Sequence, residues 1–294
     1  MQQFSIKDLE TFTGIKAHTI RIWEQRYNLL EPQRTSTNIR FYTDNDLKHL
    51  LNVGILIDNG FKISRIAEMS ETEMTTIISK LNAEDTKEQH YLNLLKISML
   101  NYDETLFCSV VDAYLADHTV ERIFERLFMP FMHQVGILWL TSVICPAQEH
   151  FISNLLRQKL FSWIDQSPIA LDDSKPLLVM FLPQGEIHEI SLLLFHYMAR
   201  QKGHRSIFLG QSVPFEDLLQ ISQKYPHAQF VSYSTTAPSA KNAQQYVDRI
   251  HREFSSSQVK FHLGGKMLQE VSIPTDSCVK IYASGGQLAE TIFV

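Results

Sequence analysis

Ten residues, Leu182-Pro-Gln-Gly-Glu-Ile-His-Glu-Ile-Ser191, hold the most suggestive chemistry in the chain. An apolar run from Leu177 to Leu182 precedes them and reads as a buried strand, and an apolar run of helical character from Leu192 to Met198 follows. His188 therefore stands where a strand hands over to a helix. In parallel α/β sheets that junction opens on the ligand-binding edge. A neutral imidazole there can ligate a metal, and Glu186, two residues earlier, can hold its other ring nitrogen. Taken alone, the segment reads more plainly as a loop histidine with no ligand.

The elements that would position this loop can be read around it. Strand-like runs at Leu177–Leu182, Ser206–Leu209, Phe230–Ser234, Val259–Leu263 and Val279–Ala283 alternate with helix-like segments at Glu189–Gln201, Phe215–Lys224 and Ala240–Phe254. That order predicts a doubly wound parallel sheet, Rossmann-like, over residues 172–294. Gly285-Gly286 reads as a turn before the last helix. Upstream, apolar residues from Tyr91 to Trp163 recur at helical spacing, punctuated by Asp103, Asp117 and Pro146. They predict a four-helix bundle over 83–168, entered through the polar stretch Asn82–Gln89.

Residues 1–75 read as a small helical module. Ser5 is placed to cap a helix whose Leu9 and Phe12 face inward, and Thr13-Gly14 ends it. A second helix follows from about Ala17 to Tyr27, which is the helix-turn-helix order. Leu29 to Tyr42 then reads as a short β-like wing. Between Thr11 and Thr43 there are five basic residues, Lys16, Arg21, Arg26, Arg34 and Arg40, against Glu24 and Glu31. The whole chain carries a net charge of −5, so this local excess is its basic footprint for nucleic acid.

Thr19-Ile-Arg-Ile-Trp-Glu-Gln-Arg-Tyr27, with Pro32-Gln-Arg34 and Arg40-Phe-Tyr-Thr-Asp44, resembles the winged-helix domain of the MerR family of transcription regulators. The resemblance implies that Thr19, Arg21, Arg34, Arg40 and Tyr42 touch promoter DNA, and that the protein works as a dimer or tetramer. It also implies further helices from Asp46 onward and a short one at Gly60–Ile66.

A second resemblance covers the rest. Trp139, followed after nine intervening residues by Glu149-His150, reads on its own as a partly buried core tryptophan and a helix-start pair. The spacing is nevertheless similar to the helical cap of the cobalamin-binding CarH and LitR group. There the tryptophan and the Glu-His pair line the upper side of the corrin. Glu186-Ile-His-Glu-Ile-Ser191 resembles the group's Asp-x-His-x-x-Gly box. Ser234-Thr-Thr236 follows after 42 intervening residues, and Gly264-Gly265 after 27 more, as its hydroxyl and Gly-Gly elements do. The resemblance implies adenosylcobalamin or methylcobalamin, with cobalt on His188, Glu186 behind it, and the nucleotide tail in a slot between sheet and helices. Ser234 and Thr236 would bond that tail, and Gly264 and Gly265 would admit it. Three departures stand out. Leu140 replaces the histidine that photoreceptor members use after light cleaves the cobalt–carbon bond. Ser142 and Ser191 each replace a glycine.

The remaining features set bounds. With 44% hydrophobic and 20% charged residues the composition is that of an ordinary soluble protein. No apolar run approaches a membrane span, and no signal-peptide pattern opens the chain, so a cytoplasmic protein is expected. Cys108, Cys145 and Cys278 are widely spaced, and form neither a disulfide framework nor a zinc pattern. No nucleophile–base set stands outside the His188 box, so no catalysis is expected. The reading is a cobalamin-sensing transcription regulator, a repressor, with possible response to light. Two rivals are a regulator whose cofactor-free module answers to a protein partner, and a corrinoid carrier for methyl transfer. The second has no use for a winged helix.

Overall fold

A computed structural model describes residues 3–293 apart from Ser36, 81–83, Ser142 and 170–173. Ser142, one of the three departures, thus lies outside the described residues. The chain forms two compact units, Met1–Leu155 and Leu156–Val294.

In the first unit, α1 (Ile6–Thr13) opens with a reciprocal capping box between Ser5 and Asp8 and closes on Gly14, whose φ of 76° few other residues adopt readily. Leu9 and Phe12 are buried. Next is α2 (Ala17–Tyr27), then an antiparallel wing of β1 (Gln33–Arg34) and β2 (Arg40–Phe41). The helices α3 (Asp44–Asp58), α4 (Ile63–Ile66) and α5 (Glu71–Lys80) complete the module.

The helical middle consists of α6 (Glu84–Asn101), α7 (Glu104–Leu115), α8 (Val120–Ile123), α9 (Met129–Leu140) and α10 (Pro146–Gln166). A π-helical turn, Phe124–Phe128, joins α8 to α9. Asp103 caps α7 through the Leu106 amide, and Pro146 opens α10, as the punctuation predicts. The division between the two units falls within α10.

Within the first unit, Lys96 of α6 is buried with no carboxylate partner among the described residues. Its ammonium donates to the Phe12 carbonyl at 3.3 Å, at the C-terminal end of α1, where positive charge is favoured. It also lines a cavity of about 230 Å³ shared with Thr11, Gln134 and Ile137. Burial holds its pKa down to about 8, from 10.5. The unfolded chain therefore binds the proton more tightly. The penalty is complete below pH 8 and is relieved as pH rises towards 10.5. A shift of this size corresponds to about 3 kcal/mol. Lys96→Met is expected to raise the melting temperature at pH 7 and to flatten the rise in stability between pH 8 and 10. Melting curves across that range check it, and a lower melting point with an unchanged pH slope would contradict it.

In the second unit, a five-stranded parallel sheet has the order β4-β3-β5-β6-β7. Its strands are β3 (Leu178–Pro183), β4 (Ser206–Val213), β5 (Gln229–Tyr233), β6 (Lys260–Gly264) and β7 (Val279–Tyr282). The crossover helices are α11 (Ile190–Gln201), α12 (Phe215–Lys224) and α13 (Ala240–Phe254), with α14 (Gly285–Ile292) last. Strand alternation sorts the core into two layers. Val179, Phe181, Phe230 and Phe261 pack with Val247 and Phe254 of α13. Leu178, Met180, Leu182 and Val231 pack with Leu192 of α11 and Leu288 of α14. Burial on both faces explains why these strands read as continuous apolar runs. Gly285 and Gly286 are the first residues of α14, one step later than the turn expected there.

Candidate functional site

The strand order reverses between β3 and β5, and that switch point is where open α/β sheets bind ligands. The loop after β3 carries Glu186 and His188 to this point. Its shape is held by a kink in β4: the Gly185 amide donates to Ser212 Oγ at 3.0 Å, and the Ser212 amide to the Glu186 carbonyl at 3.1 Å. Glu186 is fully buried. Its Oε1 accepts the amides of Ile187 and His188 and lies 2.6 Å from His188 Nδ1. Its Oε2 accepts the amides of Thr235, Thr236 and Ala237, which follow β5. Burial alone would raise this carboxyl. The bond to His188 and the amides of Ala237, Thr236 and His188 outweigh it and hold the group well below the ordinary carboxylate range. A permanent carboxylate only accepts, so Nδ1 of His188 carries the hydrogen of this bond and Nε2 is the ring nitrogen that does not face Glu186. The imidazole is half-exposed.

Ser234 and Thr236 stand on the facing loop. Thr236 is exposed, with its hydroxyl 3.2 Å from Glu186 Oε1 and 3.5 Å from His188 Nδ1. Ser234 is buried, and its hydroxyl has no hydrogen-bond partner among the described residues. The two glycines lie against the chain's own atoms. A Cβ on Gly265, whose φ is 124°, would lie 1.9 Å from the Ser234 carbonyl oxygen, and one on Gly264 would lie 2.6 Å from the Tyr233 ring. In this structure both glycines are thus packed closely against the chain's own atoms at the ends of β5 and β6, Gly265 against backbone and Gly264 against a side chain. Gly265→Ala is expected to cost more than about 3 kcal/mol, since backbone has to move to admit the methyl group. Chemical denaturation monitored on the α/β unit measures this, and a loss below about 1 kcal/mol would contradict it. Ser191 is half-buried in the first turn of α11.

Trp139, Glu149 and His150 belong to the first unit. Trp139 is half-exposed in the last turn of α9, and Leu140 beside it is 76% exposed. The reading of Trp139 as a core residue is therefore excluded. Glu149 closes the first turn of α10 and His150 opens the second, with His150 Nδ1 2.7 Å from Glu149 Oε2. Tight backbone bonds from Val143 and Ile144 to the Leu138 carbonyl hold the turn between the two helices.

Of the residues expected at DNA, Arg21, Arg34 and Arg40 are exposed and Thr19 is half-buried near the start of α2. The Arg34 guanidinium is bound to Asn38 Oδ1 at 2.8 Å, bracing the wing turn. Tyr42 corrects the expectation. It is fully buried, bridged by backbone to Phe4, and its hydroxyl donates to Glu24. Desolvation, and then the bond to Glu24, raise its pKa well above the ordinary tyrosine range. It ties α2 to the wing and presents nothing to a duplex.

Sequence reading missed three contributors. The Thr235–Ala237 amides carry no side-chain signal. Ser212, at φ 52°, is found only through the β4 kink. Glu189, beside His188, pairs with Arg157 of α10 at 2.6 Å, and only its acidity hinted at a partner.

The site fits a corrinoid. Among the described residues no three His, Cys, Asp or Glu side chains converge. A metal held at His188 must bring most of its ligands with it, as a macrocycle does. A carboxylate-backed imidazole is a fitting donor to such a metal, and the buried Ser234 hydroxyl, without a partner among the described residues, suits a polar ligand group.

A winged helix, a helical middle and a switch-point histidine in one chain define a DNA-binding regulator with a ligand-binding α/β module. Comparison with known proteins narrows the class. Residues 4–73 match the MerR HTH family regulatory protein model, and residues 91–161 match the B12 binding domain model. The HTH-type transcriptional repressor CarH of Myxococcus xanthus is 30% identical over 81% of this chain and 80% of its own length. The repressor CarA of the same organism is 27% identical over 71% of this chain and 68% of its own. The monomethylamine corrinoid protein of Methanosarcina barkeri shares the fold, with a TM-score of 0.56 at 17% identity over 70% of this chain and 98% of that one. The chain belongs to the CarH-like MerR family of transcription regulators, which join a DNA-binding winged helix to a cobalamin-binding module.

Proposed function

We propose that this protein is a promoter-bound repressor in the cytoplasm that senses adenosylcobalamin or methylcobalamin and alters its oligomer state and DNA affinity in response. The boundaries we assign are 1–75 for DNA reading, 83–168 for the helical cap and 172–294 for the cofactor domain. His188 is the proposed axial ligand, oriented by Glu186. Ser234 and Thr236 are the proposed polar contacts, beside Gly264 and Gly265. Trp139, Glu149 and His150 are proposed to meet the upper side. Thr19, Arg21, Arg34 and Arg40 are the proposed DNA contacts. When bound, the corrinoid would supply a cobalt centre, which the His188 imidazole would hold. Everything else is done by the chain: Glu186 keeps the proton on Nδ1, and α11 and the β4 kink hold the loop.

The observation that carries this reading is the Glu186 carboxylate, fully buried with no Lys or Arg paired to it among the described residues, and bound to one imidazole and to the loop that faces it. Leu140 has no donor atom, so any response to light must proceed without a second ligand at that position. The test is incubation of the purified chain with adenosylcobalamin in the dark, followed by desalting. A retained visible spectrum with duplex binding that changes on loading supports the reading. Loss of all colour overturns it and favours the cofactor-free regulator.

A further inference from the structure

The crevice beside the switch point is already filled by the chain itself. Tyr233 ends β5 with its ring laid against bare backbone on two sides. A Cβ added at Gly264 would sit 2.6 Å from its Cδ2, and one added at Gly285, the first residue of α14, 3.5 Å from its Cε2. Phe195 of α11 closes the third side, edge-on, with ring centroids 6.0 Å apart and planes at 82°. The space between α11, α14 and the ends of β5 and β6 is therefore a flat slot, walled by glycine backbone, holding one aromatic ring. Next to it the buried Ser234 hydroxyl lacks a partner among the described residues.

We propose that Tyr233 is a gate on the slot that would take the nucleotide tail of a cobalamin, an internal stand-in for the tail's aromatic base. The inference rests on the corrinoid reading above. A planar base can reach the glycine walls only where the Tyr233 ring now lies. The ring is suited to leave. It is half-buried at a strand end, and its hydroxyl makes no hydrogen bond among the described residues. Phe195, almost wholly buried, stays as the back wall. Binding of a complete cobalamin must open the gate, and its apparent affinity falls by the fraction of molecules that are open. Loss of the aromatic pair and of the ring's burial sets that factor at roughly tenfold. A corrinoid without a tail escapes it.

The test is a visible-absorbance titration of the full chain with aquacobalamin and, separately, with aquacobinamide, which has the same ring and no nucleotide. Tyr233→Ala is expected to tighten aquacobalamin about tenfold and to leave aquacobinamide within twofold. Tyr233→Phe keeps the ring and should match wild type for both. If the alanine variant does not fold, Tyr233→Leu gives the same comparison with less lost packing. An unchanged ratio of the two affinities, or weaker cobalamin binding in a folded variant, overturns the gate while the sensor reading stands. Failure of wild type to bind either corrinoid overturns the sensor reading, and the gate with it.

Discussion

Replacing His188 with alanine is expected to weaken cobalamin binding by at least about a hundredfold, with the fold intact. The magnitude follows from losing the proposed metal ligand itself, since loss of a partner behind a metal ligand already costs ten- to a hundredfold. The intact fold follows from the geometry of Glu186. Five backbone amides, those of Ile187, His188, Thr235, Thr236 and Ala237, still bind its carboxylate when the imidazole is gone. The loop that bridges β3 and β5 is thus held by backbone, and the ring is an addition to it. Glu186 is the contrasting position. Glu186→Ala strips partners from all five amides, so it should cost stability as well as affinity. Dark absorbance titrations beside thermal melts separate the two outcomes. A His188→Ala chain that holds cobalamin as tightly as wild type would remove the histidine from the cofactor's lower face.

Paired replacement of Arg21 and Arg40 by alanine is expected to weaken duplex binding about a hundredfold at moderate salt. Neither guanidinium forms an ion pair among the described residues, and both are exposed, one on α2 and one on the wing. Each is therefore available for a phosphate. Releasing the counterions of two phosphates should also lower the slope of log affinity against log salt by close to 2. Because the phosphate contribution is independent of sequence, a duplex of arbitrary sequence serves for the measurement. Arg34 differs, since its guanidinium already braces Asn38 in the wing turn. Arg34→Ala should disturb wing geometry along with charge. Anisotropy titrations over a salt series decide it, and an unchanged slope in the double variant would place the duplex elsewhere.

Much of the architecture was legible locally. Ser5 with Asp8, Gly14, Asp103 and Pro146 mark helix ends because a cap satisfies backbone groups within three or four residues of itself. The α/β alternation was legible because strands buried on both faces must be apolar throughout, and all five runs became strands of one sheet. Tyr42 was misread for a physical reason. Next to Arg40, in a wing, it looks like a surface residue, and its burial depends on Phe4 and Glu24, neither of them adjacent in sequence. The double glycine suggests room for a ligand, and only the structure shows that the Ser234 carbonyl and the Tyr233 ring are the groups packed against it.

Residue order alone determined that there would be a winged helix, a helical middle and a parallel sheet, and that His188 would sit at a strand's carboxyl end with an acid two positions away. Periodicity and capping act over a few residues, so a linear reading reaches them. Only the tertiary structure decided which strand lies beside β3, and hence that Glu186 would be gripped by amides about fifty positions further on. It alone put Tyr233 between Gly264 and Gly285. Strand neighbours are chosen by packing across the whole sheet, and nothing in the local pattern of either strand encodes that choice.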